Sequence, residues 1–219
     1  MDSTFLPLRI IDYLKSKPFV HIISEPRTGS SSLYLQICHN DQLDSNVDLN
    51  EPFENFETGE IDLDPDTVIS YLENNLDKCK VMKNHAKSIS ELNYEQQKKI
   101  FNLPAFNVLL TRNNWFEQIC SLALSKSTGM FAYPHDHRVE INITEFQLAA
   151  FSVFKAKYES SKYINSADLI LSYENIIFEN NNNKQNNKHH NIINLDDLYK
   201  YYLKTIKQSY NFTGYIFDK

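Results

Sequence analysis

Short apolar runs alternate along the chain with longer segments in which apolar residues recur at helical spacing. The apolar runs predict four buried strands, at 19–24, 79–83, 106–111 and 167–172. The longer segments predict helices over 5–16, 30–40, 65–77, 90–102, 113–127, 145–161 and 196–209. Strands that alternate with helices form a parallel sheet with helices on both of its faces. The predicted fold class is therefore α/β, a three-layer sandwich with a central parallel sheet.

Capping residues and polar stretches support several of these boundaries. Asp64 and Pro65 are typical of an N-cap followed by proline in the first turn. Thr144 and Gln147 have the spacing of a capping box for the helix at 145–161. Residues 41–63 are acidic and polar, and they predict a long loop that is a candidate substrate region. The asparagine-rich stretch 180–191 predicts a flexible low-complexity loop at the surface.

The composition narrows the class of protein. The chain has 219 residues, of which 42% are hydrophobic and 23% charged, which suits a single α/β domain over 1–219. The formal net charge of −6 argues against general nucleic-acid binding. Three cysteines without a CxxC pair fit a reducing compartment. No signal-peptide pattern and no apolar run of about 18 residues is present, so we expect a cytoplasmic protein without a membrane span.

The most informative stretch is FVHIISEPRTGSSSL, residues 19–33, which predicts a strand, a tight loop and a helix. Such a loop aims backbone N–H groups at one point, and the helix N-terminus adds its positive end. Gly29 permits close approach of the backbone, Arg27 supplies a fixed cation, and Thr28 precedes the glycine. Hydroxyl donors follow at Ser30, Ser31 and Ser32. The chemistry that suits this loop is the binding of a phosphate or a phosphosulfate, and the alternative is an ordinary serine-rich helix start.

The loop lacks the second glycine and the lysine of the nucleotide-triphosphatase motif, which disfavours a nucleotide kinase. PRTGSSSL instead resembles the P-loop-like 5′-phosphosulfate-binding loop of sulfotransferases that use 3′-phosphoadenosine 5′-phosphosulfate (PAPS). In that superfamily a proline, a basic residue, a hydroxyl residue, a glycine and further hydroxyl residues follow the first strand.

A second resemblance lies at residues 108–125, VLLTRNNWFEQICSLALS. Bacterial sulfotransferases of the trehalose-sulfotransferase type have a Thr-Arg at a strand end and a serine nine positions later. By that resemblance Arg112 and Ser121 would bind the 3′-phosphate of PAPS, because a guanidinium pairs with phosphate in a bidentate manner and a hydroxyl adds a donor. The alternative for Arg112 is a surface salt bridge.

A third resemblance concerns the general base. In NEPFENF, Glu54 has the position of the glutamate in the P-x-E-x-F pattern of the trehalose type, and Glu51 is the reserve candidate. Cytosolic sulfotransferases use a histidine, and the nearest equivalent is His85. Lys83 resembles the family's lysine at the end of the second strand and would face the sulfonate or the acceptor; the alternative is a lysine that faces solvent.

The resemblance to the PAPS-dependent sulfotransferase superfamily implies the transfer of a sulfuryl group from PAPS to an acceptor hydroxyl, with a carbohydrate as one candidate acceptor. PAPS would be the co-substrate, and the cations would be side chains, so that no metal is needed. The alternative function is a sulfotransferase-like protein that binds a nucleotide or a glycan without turnover. Neither the acceptor nor the oligomeric state is indicated by the sequence.

Overall fold

The structure is a computed structural model of the chain. It describes residues 10, 19–38, 47–53, 64–76, 79–129, 138–174 and 192–207. The predicted helix at 5–16 and the low-complexity loop at 180–191 therefore lie mainly or wholly outside the described residues.

A five-stranded parallel sheet organises the described chain. Its strands are β1 (Phe19–Ser24), β2 (Val47–Asn50), β3 (Cys79–His85), β4 (Ala105–Thr111) and β5 (Leu169–Ser172). Their order across the sheet is β2-β3-β1-β4-β5, and each neighbouring pair runs parallel. The predicted α/β class with a parallel sheet is confirmed.

Seven α-helices accompany these strands in the described ranges. They are α1 (Ser30–Cys38), α2 (Pro65–Asn75), α3 (Ala86–Ser90), α4 (Tyr94–Asn102), α5 (Trp115–Thr128), α6 (Ile143–Ser161) and α7 (Leu195–Tyr201). A short 3-10 helix at Ile164–Ser166 precedes β5, and a π-helical segment at Tyr202–Ile206 continues α7. The helix predicted at 196–209 therefore changes its hydrogen-bonding pattern after its second turn.

Helices lie against both faces of the sheet because the strand side chains alternate between them. Val20 and Ile22 of β1 join a cluster with Leu33 and Ile37 of α1 on one face. Phe19 lies in a cluster with the apolar side of α2 and with the end of α4, and Ile23 lies in a cluster with α3. This arrangement agrees with the predicted three layers.

The register of the strands aligns their carboxyl ends. Ser24 of β1 is opposite His85 of β3 and Leu110 of β4. Thr111, the last residue of β4, is opposite Ser172, the last residue of β5. The segments that follow these strands therefore begin at the same end of the sheet, the carboxyl end, where ligands of parallel α/β sheets bind.

The stretch 41–63, predicted as a loop throughout, contains a strand, and that prediction is wrong at residues 47–50. The sequence VDLN has one strong strand former, and its acidic and amide residues are typical of loops. The strand is stabilised by its pairing with β3, in which Leu49 is opposite Met82 and Asn50 is opposite Lys83, and not by the strand propensity of its own residues. The strand lies at the edge of the sheet.

Two predicted helix starts are also corrected. The segment 90–102 is divided between α3 and α4, and Asn93 is the N-cap of α4 in a capping box with Gln96. The capping box proposed for Thr144 and Gln147 does not form; the Asn142 side chain accepts the hydrogen bond from the Glu145 N–H at 2.8 Å. Asparagine competes well with serine and threonine at N-caps, so these starts were ambiguous. Asp64 and Pro65 do begin α2 as predicted.

The chain divides into two compact units. The first comprises Met1–Asn113 and Lys155–Lys184, and the second comprises Asn114–Phe154 and Gln185–Lys219. The first contains the sheet. The second has a core of its own, in which Ile119 and Ala123 of α5 share a cluster with Phe146 and Val153 of α6 and with Leu198 of α7. The single domain predicted for 1–219 stays a prediction.

One histidine lies inside the first unit, on the central strand. His21 is fully buried, its Nε2 is 3.4 Å from Nδ2 of Asn84, and it is opposite Asn107 in the sheet. Burial lowers the pKa of His21 from 6.5 to about 4, against the opposing effect of a hydrogen bond with Asn107. The imidazole is therefore neutral at physiological pH.

We expect His21 to make the stability of the protein pH-dependent. Its folded pKa is below the unfolded value, so the unfolded chain takes up the proton first as the pH falls, and stability decreases from about pH 6.5 towards pH 4. The loss attributable to His21 is about 3 kcal/mol between those limits. Urea unfolding at pH 7, 5.5 and 4.5 measures this. The variant His21→Gln should have a flatter pH profile than the wild type; parallel profiles would contradict the assignment.

Candidate functional site

The loop between β1 and α1 has the predicted strand–loop–helix form. Two of its residues, Arg27 with φ 62° and Gly29 with φ 75°, have left-handed backbone conformations. For a non-glycine residue such as Arg27 this conformation is uncommon and strained, and strain of this kind clusters at functional sites. The Thr28 hydroxyl donates to the Glu25 carbonyl at 2.8 Å and closes the turn. α1 therefore begins at the carboxyl end of the sheet. The free backbone N–H groups in the first turn of a helix can donate hydrogen bonds to an anion.

A second cation lies beside this loop. Arg112 follows β4, is 6% exposed, and its Nη1 donates to the Arg27 carbonyl at 3.2 Å. Its Nε is 3.9 Å from a carboxylate oxygen of Glu174, and Glu174 also accepts a hydrogen bond from the Asn113 N–H. Burial and, second, the positive charge of Arg112 lower the pKa of Arg27. Two guanidinium groups therefore raise the positive potential at one place, which a bound anion would relieve.

Tyr173 covers both the loop and Arg112. The guanidinium carbon of Arg112 is 4.3 Å from the centroid of the Tyr173 ring, a cation–π distance. A Cβ atom added to Gly29 would lie 2.8 Å from Cδ2 of the same ring. Gly29 is therefore required twice, by its positive φ and by the close approach of Tyr173.

A cluster of ionisable side chains forms on the face of the sheet that α1 covers. Lys83, 2% exposed, donates to the Ser31 hydroxyl at 3.0 Å and pairs with Oε1 of Glu51 at 2.5 Å. Nε2 of His85 is 3.3 Å from the same oxygen, and Nδ1 of His85 is 3.2 Å from the Ser24 hydroxyl. Lys83 is thus buried in an ion pair, which excludes the reading of a lysine that faces solvent.

The backbone holds Glu51 against this cluster. Its φ is 56°, left-handed for a non-glycine residue, and its N–H donates to the Lys83 carbonyl at 2.7 Å. Lys83 and His85 both contact Oε1 of the Glu51 carboxylate. Glu51 is 12% exposed, which leaves a narrow access to it.

A buried ion pair anchors the start of the loop. Glu25 is fully buried, and its Oε2 accepts a hydrogen bond from Lys157 Nζ at 2.8 Å. Its Oε1 accepts one from the Ser160 hydroxyl at 3.0 Å. Lys157 also donates to the Arg112 carbonyl at 2.8 Å. One ammonium group therefore binds both segments that carry the guanidinium groups.

The remaining predicted site residues have different outcomes. Ser30 is buried at the first position of α1, and Ser31 and Ser32 are exposed beside it. Ser121 lies on α5 in the second unit, and its role with Arg112 stays a prediction. Glu54 lies outside the described residues, so its role as base also stays a prediction.

From the sequence alone, no site role is given to Glu25 or Lys157, and the segment Ser172-Tyr173-Glu174-Asn175, which resembles a segment of the sulfotransferase family, is interpreted as structural. Tyr173 directly follows the fourth predicted strand, at the same end of the sheet as Arg27 and Arg112, and this position is the signal for a site role. Glu25 follows the strand at 19–24 as a carboxylate next to a predicted anion loop, which hints at a structural partner. Nothing local identifies that partner as Lys157, because it is 132 residues away.

The described ranges contain no group of three or more His, Cys, Asp or Glu side chains that could hold a metal ion. Within the same ranges, no helix combines the length and the apolar character needed to cross a membrane. Comparison of the sequence with models of known protein families and with curated proteins gives no match.

We expect Gly29→Ala to destabilise the protein more than Gly129→Ala does. Both glycines have positive φ, at 75° and 69°, so both variants lose about 1–2 kcal/mol to backbone strain. Only at position 29 does the new methyl group also meet a side chain, that of Tyr173, and overpacking of this kind adds about 1–3 kcal/mol. Chemical denaturation of the two variants measures the difference; equal losses would contradict the close approach of Tyr173.

Proposed function

We propose that this protein is a PAPS-dependent sulfotransferase that moves the sulfuryl group of PAPS to an acceptor hydroxyl, with a carbohydrate as one candidate acceptor. The observation that carries the proposal is the pair of guanidinium groups at the end of the sheet. Arg27 lies in a strained loop that leads into a helix N-terminus, and Arg112 bonds to the carbonyl of Arg27. This is a concentration of positive charge and amide donors suited to a nucleotide that carries two anionic groups.

The resemblance to sulfotransferases supplies the roles at this site. The P-loop-like segment Arg27, Thr28, Gly29, Ser30, Ser31 and Ser32 would bind the 5′-phosphosulfate. Arg112, together with Ser121, would bind the 3′-phosphate. Lys83 shares a hydrogen bond with Ser31 of that segment and would neutralise charge on the reacting sulfonate or on the leaving phosphate.

The chemistry is an in-line transfer. The acceptor oxygen forms a bond to sulfur, the bond between sulfur and the bridging oxygen of the 5′-phosphate breaks, and 3′-phosphoadenosine 5′-phosphate leaves with the electron pair. The acceptor's proton passes to a general base. Glu51 is our first candidate for this base, because its carboxylate pairs with Lys83, which also donates to Ser31 of the loop. Glu54 is the base that the resemblance implies, and His85 is the third candidate.

The alternative is a protein of the same fold that binds a nucleotide or a glycan without turnover. Its signature would be binding of 3′-phosphoadenosine 5′-phosphate with no transfer of label from PAPS to any acceptor in a panel of sugars and small alcohols. The same panel therefore separates the enzyme from the binding protein.

Nucleotide selectivity tests the proposed cofactor. We expect tighter binding of 3′-phosphoadenosine 5′-phosphate than of ATP, because ATP lacks the 3′-phosphate that Arg112 would bind. Arg112→Lys keeps the positive charge but loses the paired N–H donors of the guanidinium group. It should weaken the binding of 3′-phosphoadenosine 5′-phosphate by about 1.5–3 kcal/mol, the scale of hydrogen bonds to charged groups. Arg138→Lys is the matched control, because Arg138 is exposed in the second unit. Calorimetric titration measures all three proteins; a preference for ATP would contradict the proposal.

The identity of the base is tested by three variants measured side by side in the labelled-PAPS assay. Glu51→Gln retains the side-chain shape but cannot accept the proton, so turnover should fall by about a hundredfold or more. Glu54→Gln and His85→Gln should retain more activity. If Glu54→Gln abolishes turnover while Glu51→Gln retains it, the base is Glu54.

A further inference from the structure

We propose that Lys157 is a positioning residue that fixes the spacing between the Arg27 loop and Arg112, and so selects ligands that carry two anionic groups. This inference rests on the proposed function, because it concerns the same nucleotide site. Lys157 belongs to none of the motifs that resemble sulfotransferases, and it lies on α6, far along the chain from both arginines.

The contacts of Lys157 join two segments that come from different strands. Its ammonium group donates to Oε2 of Glu25, at the end of β1, and to the carbonyl oxygen of Arg112, at the end of β4, both at 2.8 Å. Ser160, one turn further along α6, holds the other oxygen of the Glu25 carboxylate. Both residues that hold Glu25 therefore stand on one rigid helix.

Two further hydrogen bonds link the segments that Lys157 holds to the proposed anion-binding residues Arg27 and Arg112. The Glu25 carbonyl accepts the Thr28 hydroxyl, so that the anchored residue closes the loop around Arg27. The Arg112 guanidinium donates to the Arg27 carbonyl. The contacts therefore form a closed ring through Lys157, Glu25, Thr28, Arg27 and Arg112, and the ammonium group is one of the contacts that set the relative position of the two cations.

The energetics favour a positioning role over a stabilising one. Glu25 is fully buried, so its ion pair with Lys157 costs desolvation that the attraction offsets only in good geometry, and neutral replacements of such pairs are often equally stable. Its value lies in geometry, since a ligand that spans two cations is sensitive to small changes in their separation. A ligand with one anionic group needs only one of them and tolerates such a change.

The test compares Lys157→Met with Lys155→Met, which removes the same charge from an exposed position of the same helix. Two probes are titrated into each: 3′-phosphoadenosine 5′-phosphate, with two anionic groups, and adenosine 5′-phosphate, with one. We expect Lys157→Met to reduce the affinity ratio of the two nucleotides by about tenfold, equal to about 1.4 kcal/mol. Lys155→Met should leave the ratio at the wild-type value, and Lys157→Arg, which can keep both contacts, should restore most of it.

Hydrogen exchange of the ligand-free proteins is a second readout that needs no nucleotide. The amides of residues 25–32 should exchange faster in Lys157→Met than in Lys155→Met. If Lys157→Met does not fold, the double variant Glu25→Gln with Lys157→Met replaces it, because it leaves no buried charge uncompensated.

The outcomes separate the two proposals. If the wild type binds neither nucleotide, the proposed function fails, while the exchange data still decide whether Lys157 holds the loop. If the wild type prefers the bisphosphate but Lys157→Met lowers both affinities equally, Lys157 is merely structural and this inference is overturned. Equal exchange in the two lysine variants overturns it as well.

Discussion

Parallel pairing is the constraint on which the rest of this structure depends. Because β1 pairs with β3 on one side and β4 on the other, the chain segments that follow all three strands leave the sheet at the same edge. Pairing continues one residue further, since the Glu25 N–H donates to the Leu110 carbonyl. Arg27 and Arg112 follow β1 and β4, Lys83 lies two residues before the end of β3, and the shared register brings all three to the same end of the sheet.

The parts of the fold that the sequence predicts correctly carry strong local signals. The strand at 19–24 and the strand at 106–111 are apolar runs bounded by turn residues, and both are found close to those limits. The loop between β1 and α1 follows from Pro26, Gly29 and the serines that begin α1, since these residues mark a turn whatever surrounds it. The position of Arg112 after a strand is also predictable, because it directly follows the apolar run 106–111.

The parts that the sequence does not predict depend on distant partners. The strand at 47–50 is stabilised by pairing with β3, and its own residues are typical of a loop. The ion pair of Glu25 with Lys157 forms across 132 residues, and either residue alone resembles an ordinary surface charge. Glu51 contacts Lys83 and His85 from a left-handed backbone conformation, which no pattern of residue types specifies.

The central position of β1 also has a consequence for how the protein is made. Val20 pairs with Val81 and Phe106, so a strand that is fully buried in the folded protein leaves the ribosome long before either neighbour exists. At about 5–20 residues per second, that strand waits for several seconds with both edges open to other chains. Its non-local pairing also implies slow folding relative to a helical bundle of this length. Chaperone capture of the nascent chain would be most valuable in that interval, before residue 111 has been synthesised.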